Sequence, residues 1–177
     1  MKLRVGVVGA TGYVGQRFVT LLADHPWFEL HKVIASPHSA GNPYAEAVAG
    51  RWKIDVPMPS QAAGLIVQNS LDYQDYTKDL DLVFCAVNMN KADIVALEEG
   101  IAKTETPLIS NNSANRWTPD VPMIIPEINA DHSALIKAQR KRLGTRNGFI
   151  ACKPNCSIQS YVPALTPLLD FEPESLI

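Results

Sequence analysis

Short apolar runs alternate with segments of helical periodicity along most of the 177-residue chain. Residues 2–8 form a valine-rich run that is typical of a buried strand. Residues 13–23 then carry apolar side chains at helical spacing, and Pro26 ends that pattern. The same patterns predict further strands over 30–35, 65–68, 80–87, 107–110, 123–125 and 148–152. They predict further helices over 44–48, 92–103, 131–143 and from 157 onward.

This alternation of strand and helix predicts an α/β fold, a Rossmann-like, doubly wound and mostly parallel sheet with helices on both faces. We expect residues 1–150 to form the Rossmann domain, which binds the cofactor identified below, and residues 151–177 to begin a catalytic domain that is truncated here. Asn129 or Asp131 is the predicted N-cap of the helix over 131–143. Gly144 is the predicted end of that helix.

Composition narrows the classes of function. Sixteen Lys and Arg against eighteen Asp and Glu give a net charge of −2, which offers no electrostatic reason to expect a nucleic acid or a membrane as partner. The basic residues over 137–146 are better explained as the solvated face of an amphipathic helix. The sequence has no apolar run long enough to span a bilayer and does not start with a signal peptide, so we expect a cytoplasmic protein.

The three cysteines, Cys85, Cys152 and Cys156, do not suggest a disulfide framework. The spacing from Cys152 to Cys156 also differs from that of a zinc pair, and we expect no metal site. Cys85 lies in an apolar run and is predicted to be core. Cys152 is predicted to be core at the end of a strand.

A glycine-rich turn separates the first predicted strand from the first helix. Gly9, Gly12 and Gly15 repeat at every third position. Glycines there permit a tight turn and let the backbone approach a pyrophosphate, and the helix start adds free N–H groups and a positive dipole end. The context favours nucleotide binding, and the predicted contacts within the turn are Gly9, Thr11, Gly12, Tyr13, Val14 and Gly15.

The end of the second predicted strand distinguishes NAD from NADP. NAD sites usually place Asp or Glu there, on the ribose 2′-hydroxyl. Here Ser36 and Ser39 follow the strand, and no carboxylate is present to repel a 2′-phosphate. The pattern favours NADP, with both serines as candidate ligands, although the two could simply be turn residues.

Cys156 follows Pro154 and Asn155, where a strand ends and a helix begins. A thiol at a helix start lies near free N–H groups and the positive dipole end, which stabilise the thiolate and make the sulfur a nucleophile. The same N–H groups could hold an oxyanion on a bound carbonyl. The alternative is a small residue that fills a gap in the packing.

Four motifs together resemble the aspartate-semialdehyde dehydrogenases, most closely the archaeal and fungal branch. They are the glycine turn over 9–15, Ser-Asn-Asn-Ser-Ala-Asn-Arg over 110–116, Pro-Glu-Ile-Asn over 126–129, and Lys-Pro-Asn-Cys-Ser over 153–157. The resemblance covers the whole chain. The glycine turn alone would be weak evidence, but the four motifs in this order are specific.

The resemblance implies a reaction. Members of this family reversibly convert aspartate semialdehyde, NADP and phosphate into 4-aspartyl phosphate and NADPH, in the biosynthesis of lysine, methionine and threonine. By similarity, Cys156 attacks the aldehyde, the thiohemiacetal loses hydride to the nicotinamide, and phosphate cleaves the resulting thioester.

The resemblance also assigns residues. Arg116 matches the position that binds phosphate, and a guanidinium fork suits such an oxyanion. Asn155 is a candidate for holding the oxyanion beside Cys156, and Asn115 is a second candidate for contacting substrate or phosphate. Ala86 resembles a residue that contacts the cofactor through its backbone.

The family takes its acid–base histidine and its substrate-binding arginine from a larger second domain, and no histidine of this sequence lies in a matching motif. We therefore expect the chain alone to bind NADP weakly and to be inactive. A homodimer or homotetramer is implied for the full-length protein. Three alternatives stay open: an N-acetyl-glutamyl-phosphate reductase, a malonyl-CoA reductase, and a nucleotide-binding module without catalysis.

Overall fold

A computed structural model describes residues 1–171, so residues 172–177 of the predicted second domain lie outside the described part. Six strands form one sheet, in the order β3-β2-β1-β4-β5-β6, and every neighbouring pair is parallel. The predicted Rossmann-like fold is confirmed. The strands are β1 (Leu3–Val8), β2 (Phe28–Ala35), β3 (Gln68–Asn69), β4 (Leu82–Cys85), β5 (Leu108–Ser110) and β6 (Ile150–Cys152).

Helices connect most of these strands. The α-helices in the described part are α1 (Tyr13–Leu22), α2 (Tyr44–Ala47), α3 (Ser60–Ala63), α4 (Tyr73–Tyr76), α5 (Lys91–Lys103), α6 (Pro126–Asn129), α7 (Leu135–Leu143) and α8 (Cys156–Leu165). Two 3₁₀ helices cover Ala130–Ala134 and Thr166–Phe171. The predicted domain boundary after residue 150 falls within β6, which pairs with β5.

The core has two halves, one on each face of the sheet. Val5 and Val7 of β1 pack into one cluster, together with Val19 of α1. Val8 packs into the other cluster, together with Leu97 of α5. Side chains alternate along a strand, so β1 contributes to both halves. Each fully buried aliphatic side chain of this size stabilises the fold by roughly 1.5–3 kcal/mol.

Three predicted elements differ from the structure. The segment 123–125 is not a strand, and only Met123 makes an isolated bridge, to Cys152. Prolines on both sides of this segment limit further pairing. The strand predicted over 65–68 is only Gln68–Asn69, because Leu65 and Ile66 pair with the segment before α2 instead.

The helix predicted over 131–143 is the third difference. Its first turn is 3₁₀, and α7 begins only at Leu135 without a side-chain cap. Asn129 is not the cap, because its amide binds the backbone of Ile125 and Met123. Gly144 does end α7, in the left-handed conformation with φ 74°. The single-turn helices α3, α4 and α6 were not predicted, since four residues show little periodicity, whereas α2, of the same length, was predicted over 44–48.

Gln139 of α7 lies fully buried against β6, the last strand of the sheet. Its side-chain oxygen accepts the N–H of Ile150 at 2.6 Å, and its NH₂ group donates to the Ile150 carbonyl at 2.9 Å. Two residues on, Cys152 exchanges backbone hydrogen bonds with Pro122 and Ile124, at 2.8 and 2.9 Å. The outer side of β6 is therefore satisfied by a side chain and a loop.

None of the helices within residues 1–171 has both the length and the apolar character needed to cross a bilayer. In the same part of the chain, His, Cys, Asp and Glu side chains do not gather in the groups of three or more that could hold a metal ion.

Gly148 gives the first testable prediction. It lies just before β6, and a Cβ there would overlap the backbone carbonyl of Ala102 at the end of α5. We expect Gly148→Ala to lower the free energy of unfolding by about 2 kcal/mol, measured by urea titration, because backbone cannot yield as a side chain does. Gly64→Ala is the matched control, since a Cβ at Gly64 meets open space. An equal effect of the two substitutions would contradict this packing.

Glu105 gives a pH-dependent prediction. Its carboxylate accepts the N–H groups of Arg146, Asn147 and Gly148, and these bonds hold the pKa of that carboxyl below its ordinary value of 4.5. Because folding lowers this pKa, the ionised carboxyl stabilises the fold at pH values above its ordinary pKa. That contribution is lost as the pH falls through the folded-state pKa. We expect Glu105→Gln to lower the urea midpoint at pH 7, with the difference from the unsubstituted chain shrinking below pH 4.5.

Glu127→Gln serves as the control for this titration, because Glu127 is exposed and makes no ion pair within residues 1–171. A difference between Glu105→Gln and the unsubstituted chain that stayed constant down to about pH 3 would show that the carboxylate charge is not responsible.

Candidate functional site

The glycine turn between β1 and α1 is shaped by two close contacts. A Cβ at Gly9, where φ is 87°, would overlap the carbonyl of Ala86, and a Cβ at Gly15 would overlap the carbonyl of Gly9. A Cβ at Gly12 would meet only the Gly9 carbonyl, at 3.4 Å. Packing therefore requires glycine at positions 9 and 15, whereas Gly12 keeps the approach to the start of α1 open.

The carbonyl oxygens of this turn all have donors from the protein. The Gly9 carbonyl accepts the Gly12 N–H at 3.0 Å. The Ala10 carbonyl accepts the buried Tyr44 hydroxyl at 2.8 Å, and the Thr11 carbonyl accepts the side-chain amide of Gln16 at 3.0 Å. These bonds fix the turn from the protein side.

Four N–H groups of the same turn remain available. Within residues 1–171, those of Thr11, Tyr13, Val14 and Gly15 have no acceptor. They surround the N-terminus of α1, where the helix dipole also favours negative charge. The turn can thus bind a phosphate through its backbone.

A groove of about 560 Å³, including space open to solvent, runs along the carboxyl ends of the strands at this turn. Because β1 lies between β2 and β4, this is the switch point at which ligands bind in open α/β sheets. The groove is lined by Gly9, Thr11, Gly12, Ala35, Ser36, Ser70, Ala86, Val87, Asn88 and Met89.

Five predicted cofactor residues line this groove, namely Gly9, Thr11, Gly12, Ser36 and Ala86. The other four do not line it: Tyr13 and Val14 are exposed, whereas Gly15 and Ser39 are buried. The N–H of Ser39 donates to the Ser36 carbonyl at 2.9 Å, as in a turn.

Five lining residues were missed by the sequence reasoning: Ala35, which ends β2, and Ser70, Val87, Asn88 and Met89. Ser70 directly follows β3, whose position was misplaced along the chain, and Asn88 and Met89 lie between β4 and α5. Their position after strands at the same sheet edge was the available signal.

Cys156 is the exposed first residue of α8. The Asn155 side chain accepts the Ile158 N–H at 2.8 Å and so caps the helix. That bond uses the amide oxygen, and the Asn155 NH₂ group makes no hydrogen bond within residues 1–171. It is therefore available to an oxyanion next to the thiol.

The other two cysteines are buried, as predicted. Burial, followed by the negative charge of Glu98, raises the pKa of the Cys152 thiol to about 12 and that of Cys85 well above its usual range. Both stay protonated at neutral pH, so Cys156 is the candidate nucleophile.

Arg116 holds the turn before Cys156. Its Nε donates to the Lys153 carbonyl at 3.1 Å, and its Nη2 donates to the carbonyls of Asn111 at 3.1 Å and Pro154 at 3.5 Å. Its Nη1 makes no hydrogen bond within the described residues, which leaves one edge of the guanidinium for an anion. Burial, and then the Arg116 charge, lowers the pKa of Lys153.

Asn115 does not face this site. It is 0% exposed, its NH₂ group donates to Glu98 at 2.7 Å, and its oxygen accepts the Thr118 hydroxyl at 3.1 Å. A side chain engaged in this way cannot contact a ligand, so the predicted contact with substrate or phosphate is not supported at Asn115.

The groove and the cysteine turn, which covers residues 153–156 between β6 and α8, share one edge of the sheet, because all strands are parallel. The Asn111 N–H donates to the Cys85 carbonyl at the end of β4, and the Lys153 N–H donates to the Ser110 carbonyl at the end of β5, at 2.8 and 3.0 Å. These bonds connect the groove strand β4, through the Arg116 segment, to the turn that carries Cys156.

Known proteins resemble the chain closely. Residues 4–136 match the profile of a family described as "Semialdehyde dehydrogenase, NAD binding domain". An aspartate-semialdehyde dehydrogenase of Aspergillus fumigatus is 42% identical over 157 residues, which cover 89% of this chain and 42% of that protein. One of Archaeoglobus fulgidus is 39% identical over 170 residues, or 96% of this chain and 47% of that protein.

A solved structure also matches. The aspartate semialdehyde dehydrogenase of Candida albicans, crystallised with NADP, has a TM-score of 0.82 and 32% identity, and the match covers 97% of this chain and 48% of that one. The chain thus spans about half the length of the relatives it matches. Its profile match and its fold agree, and the chain belongs to the semialdehyde dehydrogenase family, of which it contains the NAD-binding domain.

Proposed function

We propose that the chain binds NADP in the groove at the glycine turn. The free N–H groups at the start of α1 fit a pyrophosphate, and the open space beside Gly12 lets it approach. The end of β2 carries Ser36 and no carboxylate, which suits the 2′-phosphate of NADP better than the 2′-hydroxyl of NAD. The relative from Candida albicans was crystallised with NADP, which supports the same cofactor here.

The proposed activity of the protein is reversible, phosphorylating oxidation of aspartate 4-semialdehyde to 4-aspartyl phosphate, a step of lysine, methionine and threonine biosynthesis. The observation that carries it is an exposed cysteine at a helix start, on the sheet edge that holds the nucleotide groove, with Arg116 bound to the carbonyls of the turn before that cysteine. The relatives named as aspartate-semialdehyde dehydrogenases support the substrate.

Cys156, Asn155 and Arg116 each have a part in the proposed reaction. The Cys156 sulfur bonds to the aldehyde carbon and forms a thiohemiacetal, and its oxygen is held by the Asn155 NH₂ group and the N–H groups at the start of α8. The thiohemiacetal becomes a thioester by losing its oxygen-bound proton and a hydride, and NADP, when bound, supplies the hydride acceptor. Phosphate, held by Arg116, then attacks the thioester carbon and the Cys156 thiolate leaves.

The acid–base group and the ligand of the substrate carboxylate are not assigned to residues of this chain, which spans about half the length of its relatives. We propose that both groups lie in a part of the whole protein that corresponds to the unmatched part of these relatives. The chain alone is then expected to bind NADP without turnover, and the whole protein is expected to act in the cytoplasm as a dimer or tetramer.

Cofactor choice can be tested at Ser36. We expect the chain to bind NADPH more tightly than NADH, measured by the nucleotide's fluorescence. We expect Ser36→Asp to weaken NADPH binding about tenfold and to leave NADH binding nearly unchanged, because a carboxylate repels a 2′-phosphate. Ser36→Asn, which has the same size without the charge, is the control. Equal effects of Ser36→Asp on both nucleotides would contradict the placement of the 2′-phosphate.

The nucleophile can be tested by alkylation. At pH 7 we expect iodoacetamide to modify Cys156 about tenfold faster in the folded chain than in the same chain unfolded in urea, because the sulfur is exposed at the start of α8, a position that activates a cysteine as a nucleophile. Peptide mass spectrometry identifies the modified residue, and Cys156→Ser supplies the blank. Inorganic phosphate should slow the folded reaction. A folded rate no higher than the unfolded rate would refute the nucleophile.

A further inference from the structure

Glu98 is a fully buried carboxylate on the inner face of α5. Burying a charge is costly unless polar groups around it satisfy every oxygen. No lysine, arginine or histidine within the described residues forms an ion pair with Glu98. Its partners are instead a hydroxyl and two amides, and all three act as donors.

These donors come from one segment. Oε1 of Glu98 accepts the Ser110 hydroxyl at 2.5 Å and the Asn112 NH₂ group at 2.8 Å, and Oε2 accepts the Asn115 NH₂ group at 2.7 Å. The Ser110 oxygen in turn accepts the Asn112 N–H at 3.0 Å. One carboxylate thereby fixes both ends of the loop over 110–115, which leads from β5 to Arg116.

Arg116 connects the loop over 110–115 to the turn before the proposed nucleophile. It follows Asn115 directly, and its guanidinium binds the carbonyls of Lys153 and Pro154 in the turn before Cys156. The chain of contacts runs from the Glu98 carboxylate through Asn115 and Arg116 to that turn. Glu98 itself touches neither Arg116 nor Cys156 through a hydrogen bond.

We propose that Glu98 is a positioning residue for the catalytic site: its carboxylate orders the loop over 110–115 so that Arg116 holds the turn of Cys156. This inference rests on the proposed function, because it assigns Glu98 to the placement of the proposed nucleophile. Both terminal atoms of the side chain at position 98 must accept hydrogen bonds. Glutamate meets this requirement, whereas glutamine, which has the same shape, carries a donor on one of the two atoms.

The hydrogen bond between Glu98 and Asn115 can be tested by exchanging their carboxylate and amide groups. In Glu98→Gln, the new NH₂ group faces the donors of the loop, and one buried donor loses its acceptor. In the double variant Glu98→Gln with Asn115→Asp, the carboxylate and the amide exchange places between positions 98 and 115. The amide oxygen introduced at position 98 still accepts from Ser110 and Asn112, and the new NH₂ group donates to the carboxylate introduced at position 115. The shape, the charge and the number of hydrogen bonds are then all retained.

Two measurements on the chain test the proposal. The first is the rate at which trypsin cuts the bond between Arg116 and Trp117, which reports the order of the loop without reference to any activity. The second is the rate of Cys156 alkylation at pH 7, mapped by mass spectrometry. Cys85 and Cys152 do not interfere, because burial raises the pKa of both thiols.

We expect Glu98→Gln to raise the cleavage rate and to slow Cys156 alkylation roughly fivefold. The double variant should return both rates to within about twofold of the unsubstituted chain. Glu99→Gln is the matched control: Glu99 is the next residue of α5, pairs with Arg142 rather than with the loop, and should change neither rate.

Ser110→Ala removes one donor to Glu98 and the acceptor of the Asn112 N–H, and it leaves the two amide donors to Glu98 matched. It keeps the test open if Glu98→Gln does not fold. It should slow alkylation about twofold, in the same direction. Faster cleavage of Glu98→Gln or Ser110→Ala with unchanged alkylation would overturn the proposal and leave Glu98 a structural group. Failure of the double variant to restore the alkylation rate would overturn it as well.

A failure of the proposed function would look different. In that case Cys156 of the unsubstituted chain would react no faster folded than unfolded, whatever residue stands at position 98. Accelerated cleavage in Glu98→Gln, with restoration in the double variant, would then still show that the carboxylate orders the loop, but the claim that it positions a nucleophile would fall.

Discussion

Parallel hydrogen bonding between β1 and its two neighbours is the constraint on which the site depends. Because β2 and β4 pair with β1 on opposite sides, the chain segments that follow these strands diverge and leave a groove at their carboxyl ends. The parallel pairing continues to β6, so the cysteine turn emerges at the same edge. The sheet brings together residues that lie near opposite ends of the sequence.

Polar side chains inside the protein fix the loops that follow the strands at this edge. The Gln16 amide binds the Thr11 carbonyl and the backbone of residues 51 and 53, and Tyr44 binds the Ala10 carbonyl. Glu98 has the same relation to the loop over 110–115. Since a buried polar group without a partner costs about 1–3 kcal/mol, each of these side chains selects one conformation of its loop.

The sequence predicted the features that depend on local pattern. The strands β1, β2, β4 and β5, the long helix α5 and the glycine turn all have a periodicity or a residue type that only one structure explains. Residues whose roles come from distant contacts were not predictable in this way. Asn115 looked like a ligand because of its motif, yet its amide faces Glu98, a residue without any sequence signal. Ser70 and Asn88 line the groove only because their strands end there.

The end of the sheet at β6 has a consequence for solubility. An edge strand normally presents unpaired N–H and C=O groups to which a second protein chain can add itself as a further strand. Here the Gln139 amide takes the place of a neighbouring peptide at Ile150, and the loop from Pro122 to Ile124 does so at Cys152. The outward backbone groups of Ile150 and Cys152 are thereby occupied, and the sheet is closed to strand addition at this end.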